Sequence, residues 1–145
     1  MKIAFSQFFF IINVVFSSQS SNFHKGVLYY NSRSEGAVGI KSKAEHINAA
    51  IKNFLNSKSD KNHEHDATIY LLKSYYFKGK YVVESKNDKK DLFNKGKKLG
   101  EELIKEFPNS PAAHYWYLVN LGSWGEEFGI LAAAKEGTAD LMLKY

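Results

Sequence analysis

The sequence predicts an all-α protein built of antiparallel helical hairpins stacked side by side. Three observations point there: apolar residues recur at three-to-four spacing, Ser, Pro and Gly punctuate the chain between those segments, and no segment shows sustained strand alternation. The clearest element covers 88–107. Leu92, Gly96, Leu99 and Leu103 fall on one helix face, and Phe93, Gly100, Ile104 and Phe107 form the neighbouring stripe. Asp88 or Asp91 supplies its start and Pro108 its stop. Two glycines one turn apart each cost about 1 kcal/mol relative to alanine inside a helix, so they predict a second backbone approaching closely at that point.

A new helix begins at Ser110, a good N-cap, with Pro111 at the first helical position, where its missing N–H is no loss. Tyr115, Leu118, Val119 and Leu121 fall on one side of it, and Gly122 and Gly125 mark its end. A further helix is expected over 130–145, with Leu131, Ala134, Thr138, Leu141 and Met142 at helical spacing. Upstream, Asp66 caps a helix over 67–80 that turns Ile69, Leu72, Tyr75 and Tyr76 inward, behind a polar loop at 57–65. Residues 42–55 read as another helix, with Ala44, Ile47, Ala50, Ile51, Phe54 and Leu55 inward, and 23–38 as a weaker one.

The N-terminus carries an address rather than a fold element. Met1 and Lys2 precede an apolar run from Ile3 to Phe16, and Ser17, Ser18, Gln19, Ser20 and Ser21 follow. That order matches the three regions of a secretory signal peptide. The run is interrupted by Ser6, Gln7 and Asn13 and is short for a bilayer, so removal is favoured over a permanent membrane span. The expected organisation is a signal peptide at 1–20 and one helical-repeat domain at 21–145, with the mature protein periplasmic or secreted.

Composition excludes several functions. The 145 residues include no Cys, which removes disulfides, thiolate metal sites and thiol nucleophiles. The net charge is +5, but Lys alternates with Asp and Glu from Lys86 to Glu106, the pattern of a solvated helix face rather than a nucleic-acid footprint. His63, Glu64 and His65 have metal-ligating chemistry, yet they sit in a charged loop with Asp60, Lys61, Asn62 and Asp66, and no metal or other cofactor is assigned. Glu101, Glu102, Glu126 and Glu127 are adjacent pairs, whereas hydrolysis of a glycoside needs two carboxylates on facing walls. No nucleophile with a base and an orienting group stands out, so the expectation is a binding protein and not an enzyme.

Aromatics make up 15% of the chain, with nine Tyr and eleven Phe, and this excess is the functional clue. Tyr115, Trp116 and Tyr117 are consecutive and span most of a helix circumference, so at least one faces away from the core. On the first helix of each hairpin, outward residues line the concave surface of a helical solenoid, where partners bind. Tyr70, Lys73, Tyr115, Trp116, Tyr117, Asn120 and Trp124 are therefore the expected partner- or ligand-binding residues.

The hairpins repeat. Ala67 to Leu72 and Ala113 to Leu118 match in small, aromatic and aliphatic positions, and Gly96, Gly100, Leu103 and Pro108 follow the spacing of the second helix of a tetratricopeptide repeat, a right-handed solenoid unit. The segment from Leu99 onward also resembles the T-component of tripartite ATP-independent periplasmic (TRAP) transporters. The resemblance rests on Gly100, Glu101, Glu102, Phe107 to Pro111, Tyr115, Trp116, Tyr117, Asn120, Leu121, Gly122, Trp124, Gly125 and Gly129. It implies an exported helical adaptor that associates with the transporter's solute-binding protein, and it implies self-association. The chain lacks the lipoprotein Cys common in that family and stops at Tyr145 without a polar capping helix, which reads as an incomplete repeat array. The alternative is a small-molecule carrier holding an apolar ligand against the aromatic wall.

Overall fold

Seven helices follow one another through residues 22–145, the part of the chain that the computed structural model describes. The expected leader at 1–20 lies outside the described residues. Helix α1 covers 22–31, and the others are α2 Ala44–Ser57, α3 Glu64–Tyr81, α4 Lys86–Glu106, α5 Pro111–Phe128, α6 Ile130–Lys135 and α7 Thr138–Lys144. Among the described residues there is no strand, only an isolated bridge between Val38 and Lys41. The all-α expectation therefore holds, and so does the pairing into helical hairpins: α1 with α2, α3 with α4, and α5 with the short α6 and α7.

Helix α3 is the centre of the stack and packs against α2, α4 and α5. Ala67, Ile69, Leu71, Leu72 and Phe77 are all buried, so apolar residues point in several directions instead of along one stripe. Around it lie two continuous clusters. Ile47, Ala50 and Phe54 of α2 close on Leu71 and Phe77, while Leu103 and Ile104 of α4 and Ala113, Tyr117 and Leu121 of α5 close on Ile69 and Leu72. Each enclosed Leu or Ile contributes about 1.5–3 kcal/mol by leaving water.

The repeat is visible in what each position does. Ala67 and Ala113 are both fully buried, Leu71 and Tyr117 are both core, and Tyr70 and Trp116 are both half-buried on the same flank. The glycine expectation is met as well. A Cβ on Gly96 would stand 2.0 Å from Asn120 Oδ1, and one on Gly100 would stand 3.1 Å from the Cα of Tyr117, so α4 and α5 meet backbone to backbone at that turn. Asn120 then bridges helices, its Nδ2 donating to Leu72 O at 3.2 Å and Trp116 O at 2.9 Å.

Caps set the boundaries, and some differ from expectation. Ser110 caps α5 as read, its Oγ accepting from Ala113 N at 3.3 Å, and it also bonds His65 Nε2 at 2.8 Å, tying the starts of α3 and α5 together. Helix α4 starts a turn before Asp88 because Ser85 Oγ accepts from the Asp88 N–H. Helix α3 starts at Glu64 with no side-chain cap, not at an Asp66 cap. Helix α5 runs through Gly122 and Gly125 to Phe128, since the break falls at Gly129, whose φ of 96° no ordinary residue adopts. The single helix expected over 130–145 is two, divided at Gly137 with φ 64°. Residues 32–36 turn away after α1 instead of extending it to Val38.

Candidate binding groove

Helices α1, α3 and α5, the first of each hairpin, share one flank and build a groove there. On α3, Tyr70, Lys73, Phe77 and Tyr81 follow one another at three- and four-residue steps, which places them on a single stripe. Tyr30 and Arg33 reach the stripe from the end of α1 and the turn after it, and Trp116 reaches it from α5.

Their side chains close a circuit. The Arg33 guanidinium lies 4.1 Å from the Tyr30 ring centre and 5.1 Å from that of Phe77. Phe77 meets Tyr81 at 5.1 Å, Tyr81 meets Tyr76 edge-on at 6.5 Å, and Tyr76 meets Trp116 at 6.2 Å. Lys73 Nζ stands 5.6 Å from the Trp116 ring and 4.5 Å from Tyr70, and Tyr70 returns to Tyr30 edge-on at 5.4 Å. All of these are half-buried except Phe77, which is buried. Behind the rim opens a cleft of about 450 Å³ whose walls include Tyr30, Arg33, Tyr76, Phe77, Tyr81 and Trp116, with Gly39 and Ile40 at its lip.

The electrostatics of the groove are unbalanced. Among the described residues neither Arg33 nor Lys73 has a carboxylate within ion-pair distance. Arg33 Nη1 donates to Tyr30 O at 2.8 Å, which fixes the guanidinium over the rings. Burial holds Lys73 below its ordinary pKa, the Arg33 charge lowers it further, and Asp66 opposes both. Burial pushes the Tyr30 phenol up while Arg33 draws it down. Burial and neighbouring Tyr81 likewise push Tyr76 up. Glu126 lies near Tyr76 but is engaged by Lys80.

The expected binding residues separate into two groups. Tyr70, Lys73 and Trp116 stand on the groove, and Tyr115 is 60% exposed beside it, its ring 5.2 Å edge-on from Trp116. Tyr117, Asn120 and Trp124 are 1%, 0% and 5% exposed and line no surface. Tyr117 fills the seam against Gly100, Asn120 bridges α3 and α5, and Trp124 stacks on Phe128 at 4.6 Å beneath Lys97. These three are structural because the close approach of α4 selects their face of α5. Tyr115 faces water for the same reason. The sequence reading missed Tyr30, Arg33, Phe77 and Tyr81, although the spacing of Phe77 and Tyr81 from Lys73 was available as a signal.

The histidines serve local contacts. His63 stacks on Phe23 at 4.5 Å, His65 bonds Asp66 and Ser110, and His114 Nε2 bonds Pro108 O at 2.8 Å. Among the described residues no three His, Asp or Glu side chains converge as a metal-holding group. No described helix is long and apolar enough to cross a membrane.

No curated protein and no solved structure matches the chain. One family model does, that of Regulator of microtubule dynamics protein 1-3, over residues 37–137. This overturns the resemblance to the TRAP transporter T-component, from which the transporter's solute-binding protein was expected as partner. The residues behind that resemblance, chiefly Gly100, the Ser110–Pro111 start and the aromatic turn that follows, do the packing and capping any closely paired helical hairpin requires, so they mark an architecture and not one particular family. The match takes in α2 to α6 and well over half of the 145 residues, and the chain therefore belongs to the Regulator of microtubule dynamics protein 1-3 family.

Proposed function

We propose that this chain is a helical-repeat adaptor whose groove between α1, α3 and α5 receives a segment of a protein partner, and that it performs no catalysis. The closed circuit of aromatic and cationic side chains supports this reading. Half-covered Tyr, Trp and Arg side chains are the types that dominate binding energy at protein interfaces, and here they are held in place by one another. The family description names regulation of microtubule dynamics, so the proposed partner is a component of the microtubule system. The cleft's volume also suits a small molecule. Two unpaired cations at its rim count against an apolar one, which would leave both charges desolvated.

The test is co-sedimentation of the protein lacking residues 1–20 with stabilised microtubules, together with tubulin polymerisation followed by turbidity. The protein should pellet with the polymer or change the polymerisation rate, and Trp116→Ala should weaken the effect roughly thirtyfold while the helical circular dichroism is retained. No pelleting and no change in polymerisation would remove the proposed partner. Wild-type behaviour of Trp116→Ala would remove the groove.

A further inference from the structure

Arg33 and Lys73 bring two positive charges into one aromatic rim, close enough that Arg33 disfavours protonated Lys73, and no carboxylate among the described residues stands within ion-pair distance of either, Asp66 acting on Lys73 only from farther off. Elsewhere several cations that cross between helices are matched by a carboxylate: Lys80 by Glu126, Lys89 by Glu127 and Lys97 by Glu136. Desolvating two like charges beside each other is unfavourable in the free protein, and a ligand carrying carboxylates relieves it.

From this charge complementarity we propose that the groove binds an extended acidic segment of a protein partner, its carboxylates meeting Arg33 and Lys73 and an apolar side chain entering the cleft beside Trp116. The inference rests on the adaptor reading and adds the chemistry of the partner segment. Arg33 is oriented for such a role, because its bond to Tyr30 O and its stacking on Tyr30 and Phe77 fix the plane of a group that pairs with carboxylates through two parallel N–H bonds. Lys73, held between Tyr70 and Trp116, supplies a second point charge beside the Trp116 wall of the cleft. Both cations are recessed among rings, a geometry that a single extended chain can enter and a flat lipid surface cannot.

The experiment is fluorescence anisotropy with a labelled peptide of alternating Glu and Leu, and with its Gln and Leu counterpart, on the full chain. The acidic peptide should bind at least tenfold more tightly than the neutral one, and added salt should narrow the difference. Lys73→Met, which keeps the length of the side chain, and Arg33→Gln should each reduce affinity about tenfold with helical content unchanged. Equal binding of the two peptides, or wild-type affinity in Lys73→Met, would overturn the proposal. So would sedimentation with phosphatidylserine vesicles through Lys73 in the absence of peptide binding, which assigns the cations to a membrane. If neither peptide binds while Trp116-dependent pelleting with microtubules persists, the acidic segment is withdrawn and the adaptor stands; if both are lost, the adaptor reading falls too.

Discussion

On the side of α5 that meets α4, Tyr117 and Asn120 are fully enclosed, and Gly96 and Gly100 leave no room for a Cβ; on the side that meets the groove, Trp116 is half-buried and Tyr115 stands 60% exposed. The same helix thus carries aromatic and polar side chains into two opposite regimes. In the seam, glycine brings the backbones together and every large group is fixed by its neighbours. In the groove, rings and cations are fixed only by one another, and a third surface is left over for a partner. The difference separates two kinds of mutation: those in the seam act on stability, and those in the groove test the proposed binding.

Breaking the seam gives the largest expected effect. Gly96→Ala would ordinarily gain about 1 kcal/mol of helix propensity. Here the new methyl meets Asn120 Oδ1 at 2.0 Å and Cγ at 2.6 Å, and the carboxamide cannot retreat without giving up its bonds to Leu72 O and Trp116 O. The expected net loss is about 2–3 kcal/mol in urea unfolding. Asn120→Ala alone should cost about 1–2 kcal/mol through the lost bridge. In that background Gly96→Ala becomes close to neutral, since Oδ1 and Cγ are gone and the tight contact left, with the Cβ at 3.1 Å, offsets the gain in helix propensity. Additive losses in the double variant would show that the two residues do not share one contact.

How far the sequence carried the reading follows the same division. The seam was legible because Gly96 and Gly100, one turn apart on an otherwise well-formed amphipathic helix, have no use except close approach. The Ser110–Pro111 start was legible because capping is local chemistry. The inner face of α5 was not legible. Tyr115, Trp116 and Tyr117 are nearly equal in apolarity, so periodicity cannot choose among them, and the choice is made by a glycine 17 residues earlier in the chain. Helix α3 resisted for a related reason: buried on three sides, it has no single apolar stripe to read. Arg33 was invisible because its partners Tyr30 and Phe77 meet only after α1 and α3 are packed. The family suggested by the hairpin pattern failed at the same level, since packing motifs specify an architecture and do not choose among the families that use it.

A change of pH sharpens the comparison at intermediate magnitude. Burial pushes the Tyr117 phenol from its ordinary 10.0 up to about 12, with the Glu101 charge adding to the effect. Between those values the unfolded chain loses a proton that the folded protein keeps, so stability is full below about pH 10 and falls as pH rises toward 12. Burial raises the phenols of Tyr30, Tyr75 and Tyr76 in the same sense. Tyr117→Phe should therefore flatten the alkaline decline measured by denaturant titration across that range, leaving the remainder to those three. An unchanged decline would mean that the seam does not enclose the Tyr117 hydroxyl.

The smallest expected effect lies in the groove. Burial and the Arg33 charge both disfavour protonated Lys73, so its folded pKa lies below 10.5. A group shifted that way costs stability while it is charged in both states, and the cost disappears as pH rises through the folded value toward the unfolded one. At neutral pH, Lys73→Met removes a repelled charge, keeps the stem that packs between Tyr70 and Trp116, and leaves no carboxylate without a partner. Its unfolding free energy should lie within about 0.5 kcal/mol of the parent and on the stabilising side. A stability unchanged or raised by the loss of Lys73 is what the proposed binding role expects of a cation that stands among aromatic rings with a second unpaired cation nearby. If Lys73→Met unfolds instead like a seam variant, losing about 2 kcal/mol or more, then Lys73 belongs to the scaffold and the division between the two sides of α5 fails at the groove.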